Sequence, residues 1–113
     1  MSVVVGLGLN SRATSDDVLG ALDDALASVG RSRSDVLTFA TAEHRRGHPA
    51  LRCLPVPVSY FSSDRFAPGE VAERAARLGS PGGQLLVPKR CTNRVCVSIV
   101  TTAAASDPGP SIS

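Results

Sequence analysis

Val3-Val4-Val5-Gly6-Leu7-Gly8-Leu9, running directly into Asn10-Ser11-Arg12-Ala13-Thr14-Ser15-Asp16-Asp17, decides how this chain is organised. An unbroken apolar run of strand length that ends in glycines is the pattern of a strand buried on both faces, as at the centre of a parallel or mixed sheet. Thr14 or Ser15 then caps a helix whose first turn carries Asp16 and Asp17, where negative charge meets the positive end of the helix dipole. Val18, Leu19, Leu22, Ala25, Leu26 and Val29 recur at spacings of three and four, and Gly30 stands where a C-terminal cap belongs. A polar connection from Arg31 to Asp35 leads to Val36-Leu37-Thr38-Phe39-Ala40, a second strand. The sequence therefore predicts a βαβ unit with a right-handed crossover and parallel pairing.

Outward from this unit the pattern continues as α/β. Thr41 to Pro57 is polar and broken by Pro49, Pro55 and Pro57, which leaves room for a short helical turn around Ala50 to Leu54. Val58-Ser59-Tyr60-Phe61 reads as a third strand. Pro68-Gly69 opens a helix from Glu70 to Leu78, with Val71, Ala75 and Leu78 on its apolar face and Gly79 closing it. Gln84 to Val87 and Arg94 to Val100 form a hairpin with a basic tip from Pro88 to Asn93, which makes the sheet mixed. Residues 1–102 are read as one domain. Residues 103–113 are small, polar and rich in helix and strand breakers, and are read as a disordered tail.

Composition narrows the function. With no Trp, one Tyr and three Phe, the core is aliphatic and there is no platform for stacking bases, so nucleic acid is not an expected partner. Twelve basic residues against ten acidic ones are scattered along the chain, but all except Lys89 of the basic set are Arg, the side chain that grips carboxylates in bidentate fashion. Small multi-anionic ligands fit that bias. No stretch approaches the ~20 apolar residues that span a bilayer, and Met1-Ser2-Val3 enters the first strand without a leader, so a cytoplasmic protein without a membrane partner is expected. Cys53, Cys91 and Cys96 make an odd number without paired spacing. Reduced thiols follow, with Cys96 in the core and Cys91 exposed at the hairpin tip.

The chemistry-bearing residues cluster at the carboxyl ends of the first two strands. Gly6-Leu7-Gly8 lacks the third glycine of a dinucleotide turn and no acidic residue ends the second strand, so no cofactor is expected. Gly8, Arg12 and the helix entry at Thr14 and Ser15 instead offer a place for a carboxylate or phosphate. Glu43-His44-Arg45-Arg46-Gly47-His48 follows the second strand at the edge where open α/β sheets hold ligands. Arg45, Arg46 and Lys89 complete the expected anion-binding set. His44 and His48 would share a face on a helix, yet Gly47 and Pro49 oppose one, and no metal site is expected. There is no base-activated nucleophile in a known local signature; Glu43 and His44 are the candidates for a general base.

Four blocks resemble one family. Val4 to Thr14 is similar to its opening strand, glycine turn and helix entry; Leu37 to Leu51 to its second strand and following basic loop; Glu70-Val71-Ala72-Glu73-Arg74-Ala75-Ala76 to its Val-Ala-Glu helix; and Leu85-Leu86-Val87-Pro88-Lys89-Arg90 to its Leu-Leu-Val-Pro-Lys segment. In that order and spacing, they resemble the family of CobE and the C-terminal domain of CbiG. The resemblance implies a three-layer α/β/α sandwich around a mixed, mostly parallel sheet of about five strands. It also implies a role in cobalamin biosynthesis, with a precorrin or cobalt-precorrin as ligand and other enzymes of that pathway as partners. CbiG opens the lactone of cobalt-precorrin-5A and releases acetaldehyde, so a hydrolase is the alternative the resemblance carries. A non-catalytic module that docks on another biosynthetic enzyme is the third reading.

Overall fold

The structure, a computed structural model, describes residues 2–54, 56–62, 71–92 and 94–102. The strands are β1 (Val3–Leu9), β2 (Val36–Ala42), β3 (Val58–Phe61), β4 (Leu85–Cys91) and β5 (Val95–Thr101), and the helices are α1 (Ser15–Ala27) and α2 (Val71–Gly79). Together they form an α/β fold on one five-stranded sheet of order β3-β2-β1-β5-β4. β1 occupies the centre because each of its faces is apolar and each of its edges is paired. It runs parallel to β2 and antiparallel to β5, while β2 and β3 are parallel and β4 and β5 antiparallel. Of the five described strands, β1, β2, β3 and β4 run one way and β5 runs against them, so the sheet is mixed and mostly parallel in strand direction, as expected.

Side-chain alternation along β1 creates the layers. Val3, Val5, Leu7 and Leu9 join Val18, Leu22 and Leu26 of α1 with Phe39, Val97 and Ile99 in the main core. Val4 points the other way, to Ala40 and Ala75 under α2. On this second face the helix backbone lies almost against the strand: a methyl group built on Gly6 would overlap the Ala72 carbonyl, and one on Gly79 would sit 2.9 Å from Val4 Cγ1. The buried stripe of α2 is therefore Ala72, Ala75 and Ala76, with Val71 and Leu78 half-buried. The expected face of Val71, Ala75 and Leu78 is corrected by the sheet beneath, since glycine in β1 admits only small residues above it.

The first helix is built as its sequence indicates. Thr14 Oγ1 accepts the Asp17 N–H at 3.1 Å, and Asp17 Oδ2 accepts the Thr14 N–H at 3.0 Å, a reciprocal capping box. At the other end Gly30 takes φ +68°, which lets the Arg31 N–H reach the Leu26 carbonyl at 2.9 Å. Arg33 holds Asp23 with two hydrogen bonds of 2.8 and 2.7 Å, fastening α1 to the turn Arg33–Asp35.

The Thr14 backbone N–H, aided by the Thr14 hydroxyl and Arg94, holds the Asp17 carboxyl below its ordinary 3.8. The Arg33 hydrogen bonds do the same for Asp23. A carboxyl with a depressed folded-state pKa contributes stability that is complete above its unfolded value and is lost as pH falls through the folded one. Asp17→Asn is therefore expected to flatten the decline of stability below pH 3.8. Urea midpoints measured on both sides of that value check this, and an unchanged pH slope would refute it.

Three further expectations change. β2 continues through Thr41 and Ala42, where the buried Thr41 hydroxyl donates to the Leu7 carbonyl at 2.7 Å. Pro88 to Cys91 belong to β4 and not to a hairpin tip; Pro88 is tolerated because β4 is an edge strand whose pairing is irregular between Leu85 and Arg90. Cys91 and Cys96 stand opposite each other in the register and form a disulfide, with Cα atoms 4.0 Å apart. The expectation of reduced thiols at both positions, and of Cys96 in the core, is overturned by this pairing; Cys53 alone is a free thiol. The helix opening at Pro68-Gly69-Glu70 and the tail from 103 lie outside the described residues.

Candidate functional site

The carboxyl ends of β1 and β2 and the beginning of β5 meet at one edge of the sheet, and the first residues of α2 overhang it. Between them lies a cleft of about 280 Å³. Gly8, Leu9 and Asn10 form its floor, His44 and Arg45 one side, Val71 and Ala72 the roof, and Lys89, Thr92, Arg94, Val95 and Cys96 the other side. Arg45, Lys89 and Arg94 bring three positive charges to it, and among the described residues no carboxylate lines it. The positive end of the α2 dipole adds to the same potential.

Each wall is held by local chemistry. Asn10 is the anchor of the floor: its Oδ1 accepts the Arg12 N–H at 2.8 Å, and its carbonyl accepts the Ala13 N–H at 3.2 Å. His48 Nδ1 accepts the Ala50 N–H at 3.0 Å, so Nε2 carries the proton and donates to the Asn10 carbonyl at 3.1 Å. That bond ties the loop bearing His44 and Arg45 to the end of β1. On the opposite wall the Asn10 N–H donates to the Arg94 carbonyl at 3.0 Å, and Thr92 N–H closes the hairpin on the Val95 carbonyl at 2.8 Å. Arg94 Nη1 lies 3.5 Å from Asp17 Oδ2, the same oxygen that receives the Thr14 N–H. Gly8 lies close under α2: a methyl group there would make ordinary contacts with Ala72 N at 3.6 Å and Val71 Cβ at 3.7 Å.

Of the residues singled out in the sequence, Gly8, His44, Arg45 and Lys89 line the cleft. Arg12, Thr14, Ser15, Glu43 and Arg46 do not. The Thr14 hydroxyl is taken up by the α1 cap, Ser15 is the first residue of that helix, Glu43 is exposed in the turn Glu43–Arg45, and Arg46 stacks over the Tyr60 ring at 4.3 Å. The helix that overhangs the cleft is α2, through Val71 and Ala72. His48 is engaged by Asn10 and Ala50, and among the described residues no group of three or more His, Cys, Asp or Glu is placed to hold a metal ion.

Asn10, Thr92, Arg94 and Cys96 were missed. Asn10 carried a signal, because Asn directly after a strand favours a side-chain turn. Arg94 carried none that a local reading could use. It reaches the cleft only because β5 pairs antiparallel with β1, which sets Val95 opposite Leu9.

Solved structures share this architecture. CobE, a protein from the cobalamin biosynthetic pathway, superposes with a TM-score of 0.74 over 88% of this chain and 92% of its own, at 24% identity. Cobalamin biosynthesis protein chiG from Agrobacterium tumefaciens str. C58 gives 0.68 over 89% and 98%, at 20% identity. A protein described as a cobalamin biosynthesis protein G homolog from Sulfolobus solfataricus gives 0.73 at 15% identity over 91% of this chain, which spans 37% of that longer one. No family model and no curated protein matches the sequence. At these identities the likeness establishes the fold.

Proposed function

We propose that this chain is a CobE-like protein of cobalamin biosynthesis that binds a precorrin or cobalt-precorrin through the carboxylate arms of the macrocycle. The observation that carries the reading is the convergence of Arg45, Lys89 and Arg94 on one cleft that no carboxylate lines among the described residues. Precorrins are ringed by acetate and propionate groups, and guanidinium holds a carboxylate by paired, charge-assisted hydrogen bonds. The likeness of fold to CobE supports the pathway. The cleft's size refines the picture: about 280 Å³ accepts one or two arms and a ring edge, so the macrocycle rests across the mouth.

Titration of the full chain with uroporphyrin III, a tetrapyrrole octacarboxylate, and then with late precorrins, followed by visible absorbance, tests this. Saturable binding is expected, weakened about tenfold or more in Arg45→Ala, since a hydrogen bond to a charged group is worth about 1.5–3 kcal/mol. The absence of any spectral change with every tetrapyrrole would overturn the reading.

One observation favours hydrolysis as a second reading: His44 lines the cleft, within the space where a general base would meet water, although Glu43 does not. Acetaldehyde release from the lactone-bearing intermediate, lost in His44→Gln, separates turnover from binding. A docking module finds less support, because Leu37, 58% exposed, is the one large apolar side chain left in solvent among the described residues.

A further inference from the structure

The geometry points to Cys91 and Cys96 as a reversible thiol–disulfide exchange site whose state sets the shape of the cleft, with a small-molecule thiol such as glutathione as its reaction partner. Cys91 is exposed and Cys96 half-buried, and Cys96 belongs to the cleft wall. The Cys96 Cβ lies 3.6 Å from where a Gly8 side chain would begin, on the face covered by α2. The bond closes a loop with a sequence separation of 5, across a strand pair whose register already sets the two residues opposite each other. Loop-closure entropy grows with loop length, so this short loop contributes less to folding than a long one would. A bond that closes a short loop, has an exposed sulfur and lies in a wall carrying Lys89 and Arg94 is open to an anionic thiolate. In a reducing compartment such pairs cycle, and do not serve as permanent staples.

Exchange proceeds in two steps. A glutathione thiolate attacks Cys91 Sγ, the disulfide breaks, and Cys96 leaves as a thiolate that takes up a proton. A second glutathione thiolate attacks the glutathione sulfur of the mixed disulfide, releasing glutathione disulfide and the Cys91 thiolate, which is protonated in turn. Two electrons pass from two thiols to the protein. Two separate thiols need more room than a bonded pair, and the hairpin end that holds Thr92 and Arg94 loses its cross-link. The oxidised form keeps that wall preorganised and binds more tightly.

This inference rests on the cleft reading only for its ligand arm. The full chain is equilibrated in glutathione and glutathione disulfide at stepped ratios, quenched by alkylation and read by peptide mass. Cys91 and Cys96 are expected to titrate together as one two-electron couple, while Cys53 is alkylated throughout. Both sulfurs remaining locked in one state across the series would overturn the exchange. Amide spectra of the two forms are expected to differ at Gly8, Thr92 and Arg94; identical shifts there would overturn the control of the cleft. Uroporphyrin III is expected to bind about fivefold or more weaker to the reduced protein and to Cys91→Ser with Cys96→Ser, and by reciprocity to shift the glutathione titration by the same factor. Equal affinity in both states would also overturn it. Failure to bind either state would sink the tetrapyrrole reading, and the amide spectra would then decide this one.

Discussion

Gly6→Ala is expected to lower the melting temperature by about 15 °C or more, or to leave no cooperative transition, when followed by circular dichroism. The new methyl group would overlap the Ala72 carbonyl oxygen and stand 2.7 Å from Ala76 N and 2.9 Å from the Ala72 carbonyl carbon. All three are backbone atoms of α2, so no rotamer change relieves the overlap; the helix must lift from the sheet. Lifting it exposes Ala72, Ala75 and Ala76 together. The cost therefore exceeds the about 1–3 kcal/mol usual for an extra methylene in a packed core, out of a total stability of about 5–15 kcal/mol. Gly20→Ala is the control. It lies in α1 with nothing within 4 Å of an added methyl group, and alanine there is expected to stabilise by about 0.5–1 kcal/mol. A Gly6 variant that melts within a few degrees of the parent would show that α2 does not pack as described.

Reversing two of the cleft's charges, Arg45→Glu with Arg94→Glu, is expected to weaken uroporphyrin III binding by about 10²–10⁴-fold, the loss of two charge-assisted hydrogen bonds at about 1.5–3 kcal/mol each. Repulsion between the new carboxylates and the ligand adds to that loss. Arg45 is half-buried and Arg94 exposed, so the fold is expected to survive, with the Arg94–Asp17 contact of 3.5 Å the one described ion pair removed. The parent protein should also bind less tightly as salt rises, because charges at an open cleft are screened within about 10 Å at 0.1 M ionic strength. Titrations at two ionic strengths, with unfolding curves of the variant alongside, check both statements. Unchanged affinity in a folded variant would move the ligand off this edge of the sheet.

Local order in the chain is what made the fold legible. β1, the capping box of Thr14 and Asp17, and Gly30 at the end of α1 each depend on residues a few positions apart, and each stands where the pattern set it. The carboxyl edge as the place for ligands is an expectation from βαβ topology, and His44 and Arg45 stand there with Gly8 around one cleft. Contacts between distant segments were not legible. Nothing near Gly6 in the sequence announces Ala72, and nothing near Asn10 announces Arg94. Cys91 and Cys96 looked like an unpaired set because spacing arguments address loops, whereas cross-strand register brought them together. The overhang of α2 at the cleft was not legible for the same reason: α2 is contributed from far along the chain.

The Thr102 N–H donates to the Ser2 carbonyl at 3.2 Å, and Val3 is paired with Thr101, so the central strand is completed by the last one. During synthesis β1 leaves the ribosome first and must wait, one edge unpaired, until nearly the whole domain has emerged. Long-range pairing of this kind raises contact order and slows folding. The cleft shares that timing, because its floor comes from the earliest strand and one of its walls from the closing hairpin. A nascent or truncated chain that stops short of β5 can hold α1 against β1 and β2, yet it has no receptor for a ligand and presents an open sheet edge to its neighbours.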